Sequence, residues 1–372
     1  MSERFVLVMA GGSGTRLWPA STPERPKHLL GLAPDAPSLL AATLERAATW
    51  APPERTYVIT TADQRAALLA ALPRLSPAQL LVEPRGRNTA ACVAHGLIAI
   101  DARLRAAGEG DEARARAVVL ALPADHHVRD RPAFERAILA AADEAARDRV
   151  IVTLGITPTH ADTGYGYIER DDRPISDNIF PVRRFVEKPD AARAAEFLAT
   201  GRFLWNAGVF ALPVAPALAA LAAHAPAIAA AFAPYAAALA AGDPHAAAAA
   251  LSRAYDEVPR LPIDIALMEK LDDLRVVPVQ AGWDDLGSWA AVHAVAPHDA
   301  AGNALLTGAR PVHALDAEGT LVWSDDAEVA VIGVRGLAVI ASGGKVLVCP
   351  LDRAQEVRAI AERSAAARRP PT

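Results

Sequence analysis

Residues 5–30, FVLVMAGGSGTRLWPASTPERPKHLL, join a short apolar run to a glycine-rich turn and then to two cations, Arg16 and Lys27. Phe5 to Met9 carry no polar group, the pattern of a central strand in a parallel sheet buried on both faces. Gly11, Gly12 and Gly14 then let the backbone bend and bring its N–H groups, from Ala10 through Thr15, close to an anion. Arg16 and Lys27 can neutralise phosphate charge. Together these features predict a cradle for a triphosphate. Two other glycine motifs do not fit. A dinucleotide fingerprint needs a third glycine where Leu17 stands, and a Walker A loop needs a Gly-Lys-Ser/Thr sequence that is absent.

Extended as GTRLWP and then Pro26-Lys27, the segment resembles the signature of the sugar-nucleotide pyrophosphorylases, GGxGTRL followed by a Pro-Lys pair. The rest of the chain is consistent with a soluble enzyme of that kind. At 372 residues it is long for one domain, which favours one large and one small unit. A net charge of −5 gives no basic footprint for nucleic acid, so an anionic ligand must be met by a local cluster. Cys92 and Cys349 stand in apolar surroundings without CxxC spacing, which fits buried thiols in a reducing cytosol. No secretory leader pattern opens the sequence, so a cytoplasmic location is expected. The Ala-rich tract from Ala211 to Leu251 is broken by Pro213, Pro216, Pro226, Pro234, His224 and Asp243. It predicts soluble helices and no membrane association.

Strand-like runs at Phe5–Met9, Thr56–Thr60, Gln79–Glu83, Ala117–Leu122 and Val150–Gly155 alternate with Ala/Leu/Arg-rich helical stretches. That alternation predicts an α/β fold, a Rossmann-like sheet with crossover helices, over residues 1–300. Ligands on such sheets sit beyond the carboxyl ends of the strands. AGGSGTR, EPRGRNTA and LPADHH each follow one of these runs, so all three are expected to line one crevice. From Gly302 the pattern changes to short runs at Thr320–Trp323, Val329–Gly333, Ala338–Ala341 and Val346–Cys349, then a charged helix from Leu351 to Arg368. Residues 301–372 are expected to form a small β appendage, short and β-helix-like, with a terminal helix.

Asp125, just past an apolar strand, and Asp285, in GWDDLGSW, are candidate metal ligands, since magnesium in phosphoryl chemistry takes one or two carboxylates plus phosphate oxygens and water. His126 and His127 are expected to be structural hydrogen bonders, because hard Mg²⁺ prefers oxygen. Three further segments suit a sugar phosphate: Gly164-Tyr165-Gly166 with Glu169 as an acceptor for sugar hydroxyls, Lys188 as a cation for the 1-phosphate, and Asn206 with Gly208. Each has an ordinary alternative as a hairpin, a surface salt bridge or a buried turn. Their order, GYGYIE, VEKP and WNAG, matches the pyrophosphorylases.

EPRGRNTA (Glu83 to Ala90), PIDIALMEK (Pro262 to Lys270) and GWDDLGSW narrow the resemblance to the bacterial mannose-1-phosphate guanylyltransferase branch. The likeness runs from Val6 to Trp289 and more loosely through the appendage. Departures are His28 and Leu29 after the Pro-Lys pair, Leu286 for the usual Val, and Ile265 for an aromatic. The resemblance aligns Asp285, not Asp284, with the metal ligand, and it adds Arg87, Asn88 and Thr89 to the nucleotide site and Asp264 to the sugar-phosphate site. It implies GTP and mannose 1-phosphate as substrates and GDP-mannose and pyrophosphate as products. Only the transferase activity is expected, as no cupin-like isomerase domain follows; a homodimer is left open.

The incoming nucleophile, a phosphate oxygen with a second pKa of about 6, needs no general base at neutral pH. Catalysis should therefore come from positioning and fixed positive charge. For the base, a carboxylate at Glu83 can accept from guanine N1–H and N2–H₂ together; its alternative role is a loop cap. A guanylyltransferase for a heptose or fucose 1-phosphate, or a silent sugar-nucleotide-binding regulatory subunit, are competing expectations. The second should have lost cradle cations or metal carboxylates, and Arg16, Lys27, Asp125 and Asp285 are all present.

Overall fold

The computed structural model describes residues 3–12 and 14–367, so Ser13 of the glycine turn and Arg368, the expected end of the terminal helix, lie outside the described residues. Among the described residues, eleven strands precede residue 300: β1 Arg4–Ala10, β2 Thr56–Thr61, β3 Leu80–Glu83, β4 Val118–Pro123, β5 His127–Val128, β6 Ile151–Ile156, β7 Tyr167–Arg170, β8 Phe180–Val186, β9 Phe203–Pro213, β10 Leu274–Val279 and β11 Trp283–Asp284. Nine of them form one sheet in the order β3-β2-β1-β4-β9-β6-β10-β8-β7. β1 is an inner strand, parallel to both β2 and β4, with Phe5 to Val8 buried. The other half is mixed, because β9 runs antiparallel to β4, β6 and β7. One layer of core packs the helix Thr89–Ala106 and the Ala-rich helices Val214–His224, Pro226–Ala240 and Pro244–Glu257 on one face. The second layer packs the helix Arg131–Asp148 on the other. No helix among the described residues is long and apolar enough to cross a membrane.

After the loop that follows the helix Trp289–Val295, six strands among the described residues form the C-terminal part: β12 Ala304–Thr307, β13 Val312–Leu315, β14 Leu321–Ser324, β15 Val329–Ile332, β16 Leu337–Ser342 and β17 Lys345–Pro350. Ala304, Leu321 and Ala338 stack in parallel register, as do Val312 and Val329, so the chain coils through successive rungs before β17 closes antiparallel on β16. This is the short β-helix-like appendage. Its terminal segment is a 3₁₀ turn, Leu351–Glu356, running into an α-helix, Val357–Ala366. One core cluster spans both parts. Leu17, Leu30, Leu286 and Trp289 are buried together with Leu306, Trp323, Ile340 and Val357. An Arg25–Asp325 ion pair at 2.7 Å and a Trp289 Nε1–H bond to the Trp18 carbonyl reinforce that seam.

Candidate active site

β1 delivers the chain into the glycine turn, where Gly11 and Gly12 are exposed and a Cβ on Gly12 would meet nothing within 4 Å. Gly14 closes the turn at φ +57°, and a Cβ there would lie 2.3 Å from Lys27 Cβ and 2.9 Å from Ser21 Oγ. Glycine is required both by the backbone conformation and by the space. Lys27 thereby lies against the turn, buried, with Nζ 2.7 Å from Asp125 Oδ2 and donating to the Asp285 carbonyl. One ammonium thus joins three segments from distant parts of the sequence. Burial, the largest single influence, favours the neutral form of Asp125, but the Lys27 ammonium together with His126 and His28 outweighs it and holds the carboxyl below the usual carboxylate range.

A two-stranded ribbon brings the two aspartates together. β5, which begins two residues after Asp125, pairs with β11, directly before Asp285, placing His127 opposite Asp284 and Val128 opposite Trp283. His126 accepts a 3.1 Å bond from Trp283 Nε1–H, and burial lowers its pKa to about 4, so its ring is neutral and structural as expected. Asp285 Oδ1 accepts from the Gly287 N–H at 2.8 Å and the Tyr165 hydroxyl at 3.2 Å. A Cβ on Gly287 would lie 2.9 Å from the Asp285 carboxylate and 3.3 Å from Arg16 Nη2, so glycine here lets that carboxylate and that guanidinium share the space. Leu286 is buried at φ +49°, a conformation an L side chain adopts only under constraint. The Leu286 N–H donates to Asp284 Oδ1 at 2.6 Å. Burial raises the Asp284 pKa to about 6, the neighbouring Asp285 adding to it against that hydrogen bond.

The crevice over these groups has a volume of about 1070 Å³ and is lined by Thr15, Arg16, Tyr165, Lys188 and Asp285, among others. Tyr165 sits between the rings of Trp205 and Trp283, at 5.0 and 5.4 Å. Burial and the two adjacent aspartates keep its phenol protonated. Beyond it, a Cβ on Gly166 would lie 2.5 Å from Glu187 Oε2 and 3.3 Å from Asn206 Cβ. Asn206 Nδ2 donates to Asp264 Oδ1 at 2.7 Å, and Asn206 Oδ1 accepts from the Gly208 N–H at 3.0 Å. Gly208, at φ +62°, turns the backbone back to make that bond. Burial, with Glu187 adding negative charge, raises the Asp264 pKa to about 6. Lys188 has φ +46° and its exposed ammonium lies 3.1 Å from Glu187 Oε1. Gly164, at the entrance, is held by its N–H to Asp162 Oδ1 at 2.6 Å.

Glu169 is a correction. Its carboxylate is bound by Arg184 at 3.1 Å and Arg202 at 3.4 Å on the β7–β8–β9 surface, which leaves it engaged away from Asn206 and Lys188. The carboxylate beside Gly166, Asn206 and Lys188 is Glu187, which the sequence displayed in VEKP next to the cation. Strand position separates the two: Glu169 pairs across β7 with Arg184, whereas Glu187 lies just past the end of β8.

At the opposite end, Glu83 closes β3 and is 4% exposed, with Oε2 3.5 Å from where a Gly11 Cβ would lie. Its Oε1 accepts the Tyr255 hydroxyl at 3.0 Å. Burial raises its pKa to about 7 against that hydrogen bond. Of the residues around it, Arg87 departs from a purely nucleotide-binding role, since its guanidinium donates to the carbonyls of Tyr255 at 2.6 Å and Asp256 at 3.1 Å. Asn88, at φ +70°, caps the helix Thr89–Ala106, with Oδ1 accepting from the Thr89 N–H at 2.8 Å. Thr89 Oγ1 accepts from the Ile263 N–H at 2.9 Å. Arg87 and Thr89 tie the loop after β3 to the helices that carry Tyr255 and Asp264. Tyr255 itself sits in an Ala-rich helix and gave no local signal.

The nucleotidyl transferase family model matches residues 5–302, and the MannoseP isomerase/GMP-like beta-helix domain model matches residues 311–363. The chain belongs to the nucleotidyl transferase family. It is 37% identical over 365 residues to the Escherichia coli mannose-1-phosphate guanylyltransferase, covering 96% of this chain and 73% of that protein. It is also 37% identical over 362 residues to the xanthan biosynthesis protein XanB of Xanthomonas campestris pv. campestris, covering 97% and 73%. A Thermus thermophilus structure described as a mannose-1-phosphate geranyltransferase superposes with a TM-score of 0.83 at 38% identity, covering 98% of this chain and 99% of that one. The family assignment makes the chain a nucleotidyltransferase built on an α/β fold with a C-terminal β-helix-like domain, as the resemblance implied.

Proposed function

We propose that this nucleotidyltransferase transfers GMP from GTP to α-D-mannose 1-phosphate, with residues 1–300 as the catalytic part. The observation that carries this reading is the meeting of Asp125 and Asp285 on the Lys27 ammonium, between the glycine turn and the pocket of Glu187, Asn206 and Asp264. The glycine turn with Arg16 and Lys27 takes the triphosphate. Lys188 takes the sugar 1-phosphate, and Glu187, Asn206 and Asp264 supply acceptors and a donor to the sugar hydroxyls. Glu83 accepts from guanine beside Gly11.

The donor set of carboxylate and carbonyl oxygens fits Mg²⁺, with Asp125 and Asp285 as its ligands. Burial is the main reason the pKa values of Asp284 and Asp264 are raised to about 6, with Asp285 beside the first and Glu187 beside the second adding negative charge. Bound there, Mg²⁺ would supply charge stabilisation to the phosphate oxygens. The protein's own part is orientation. A sugar-phosphate oxygen attacks the α-phosphorus, the bond to the bridging oxygen breaks, and the electron pair leaves with pyrophosphate, whose charge Arg16 and Lys27 offset.

A panel of pyrophosphate-release assays over GTP, ATP, dTTP and UTP against mannose, glucose, fucose and heptose 1-phosphates tests the substrates. GTP with mannose 1-phosphate is expected to give the highest kcat/KM; a higher value for another pair would replace the assignment. The two cations should separate kinetically. Lys188→Ala is expected to raise KM for the sugar 1-phosphate by roughly tenfold, one charge-assisted phosphate contact, with KM for GTP little changed. Arg16→Ala should do the reverse, and equal effects on both constants would undo the division.

A further inference from the structure

The C-terminal segment reaches the crevice. Arg16 Nη1 donates a 3.0 Å hydrogen bond to Gln355 Oε1, a contact between residues 339 positions apart. Gln355 and Arg358 line the same crevice as Thr15, Tyr165 and Asp285. Both ends of this contact are mounted on packed backbone. Leu17, next to Arg16, is buried in the same cluster as Ala354 and Val357, which flank Gln355. The two side chains are therefore solvent-accessible groups on fixed supports, and their approach is set by the core beneath them.

We propose that Gln355 is a positioning residue for the triphosphate-binding arginine, so that the C-terminal domain forms part of the nucleotide site. This rests on the assignment of Arg16 to the triphosphate. The chemistry of the partner matters. A neutral amide oxygen occupies one of five guanidinium donors and aims the group, and a phosphate oxygen can replace it without breaking an ion pair. A carboxylate in the same place would hold Arg16 by charge and compete with the triphosphate.

The test is a comparison of Gln355→Glu and Gln355→Ala. A merely structural contact is better preserved by the nearly isosteric glutamate than by alanine, whereas a positioning role reverses that order. Gln355→Glu is expected to raise KM for GTP, and for pyrophosphate in the reverse direction, by about three- to fivefold, the size of one partly exposed ion pair. KM for the sugar 1-phosphate should not move, and Gln355→Ala should have the smaller effect. In an Arg16→Ala background the glutamate penalty should shrink, which direct repulsion of the triphosphate by Glu would not produce. Wild-type constants in Gln355→Glu, a larger effect in Gln355→Ala, or an undiminished penalty in the double variant would overturn the proposal while Arg16→Ala alone still raised KM for GTP. If Arg16→Ala left that KM unchanged, the triphosphate assignment would fall and the proposal with it.

Discussion

Asp125→Asn and Asp285→Asn should each lower kcat by roughly 10²- to 10³-fold, the usual effect of removing one preorganised electrostatic group. The geometry explains why the loss should fall on chemistry and not on folding. Asparagine at 125 still offers Lys27 Nζ an oxygen, and asparagine at 285 still accepts from the Gly287 N–H and the Tyr165 hydroxyl through Oδ1. What disappears is formal charge at the place proposed for the substrate phosphates and their cation. Circular dichroism and melting curves close to wild type, with turnover lost at saturating Mg²⁺ and substrates, are the expected pair of results. Turnover within a few-fold of wild type in either variant would remove that aspartate from the metal site.

Glu83→Gln should lower the ratio of GTP to dTTP or UTP efficiency by about ten- to a hundredfold. The amide presents one donor where the carboxylate presented an acceptor, leaving a buried guanine N–H unpaired at about 1–3 kcal/mol, with tenfold per ~1.4 kcal/mol. Oε1 is retained to accept from Tyr255, so the variant should fold. A pH profile adds an independent readout. Burial raises the folded-state pKa to about 7, so the wild-type carboxyl titrates across neutrality. Guanine donors favour the ionised form, so KM for GTP should fall by about tenfold from pH 6 to pH 8, one proton per site. Glu83→Gln should lose that step. The sign for stability is opposite. Because the folded pKa lies above the ordinary 4.5, this group's contribution is fully present below pH 4.5 and is lost as pH rises through 7. An unchanged nucleotide preference in a folded, active variant would make Glu83 a loop cap.

The half of the sheet around β1 was legible because its strands are uninterrupted apolar runs followed by loops rich in turn residues. β9 was not. Its Asn206, Gly208 and Pro213 read as turn signals, yet it lies in mid-sheet between β4 and β6, with a register shift between Thr153 and Gly155 near the segment that carries Asn206. β10 contains Pro278 and β8 contains Pro181, which conceal them in the same way. The two-residue strands β5 and β11 have no local pattern at all, although their pairing is what aligns Asp125 with Asp285. The sugar-end error has a similar origin. Glu169 and Glu187 are both carboxylates beside apolar runs, and only the strand pairing, which gives Glu169 to Arg184, separates them.

The core cluster shared by Leu17, Leu286, Trp289, Trp323 and Val357 bears on how such a chain can be inherited. The two family models divide it between residues 302 and 311, as if it were two exchangeable cassettes. A recombination event cutting at that boundary would separate the glycine turn from the floor on which Leu17 rests. Substitutions in the coiled strands that replace Trp323 or Ile340 are then filtered by the same selection that acts on Arg16 and Asp285. The joint between the cassettes should therefore change in concert on its two sides, while the outer rungs of the coil are free to diverge.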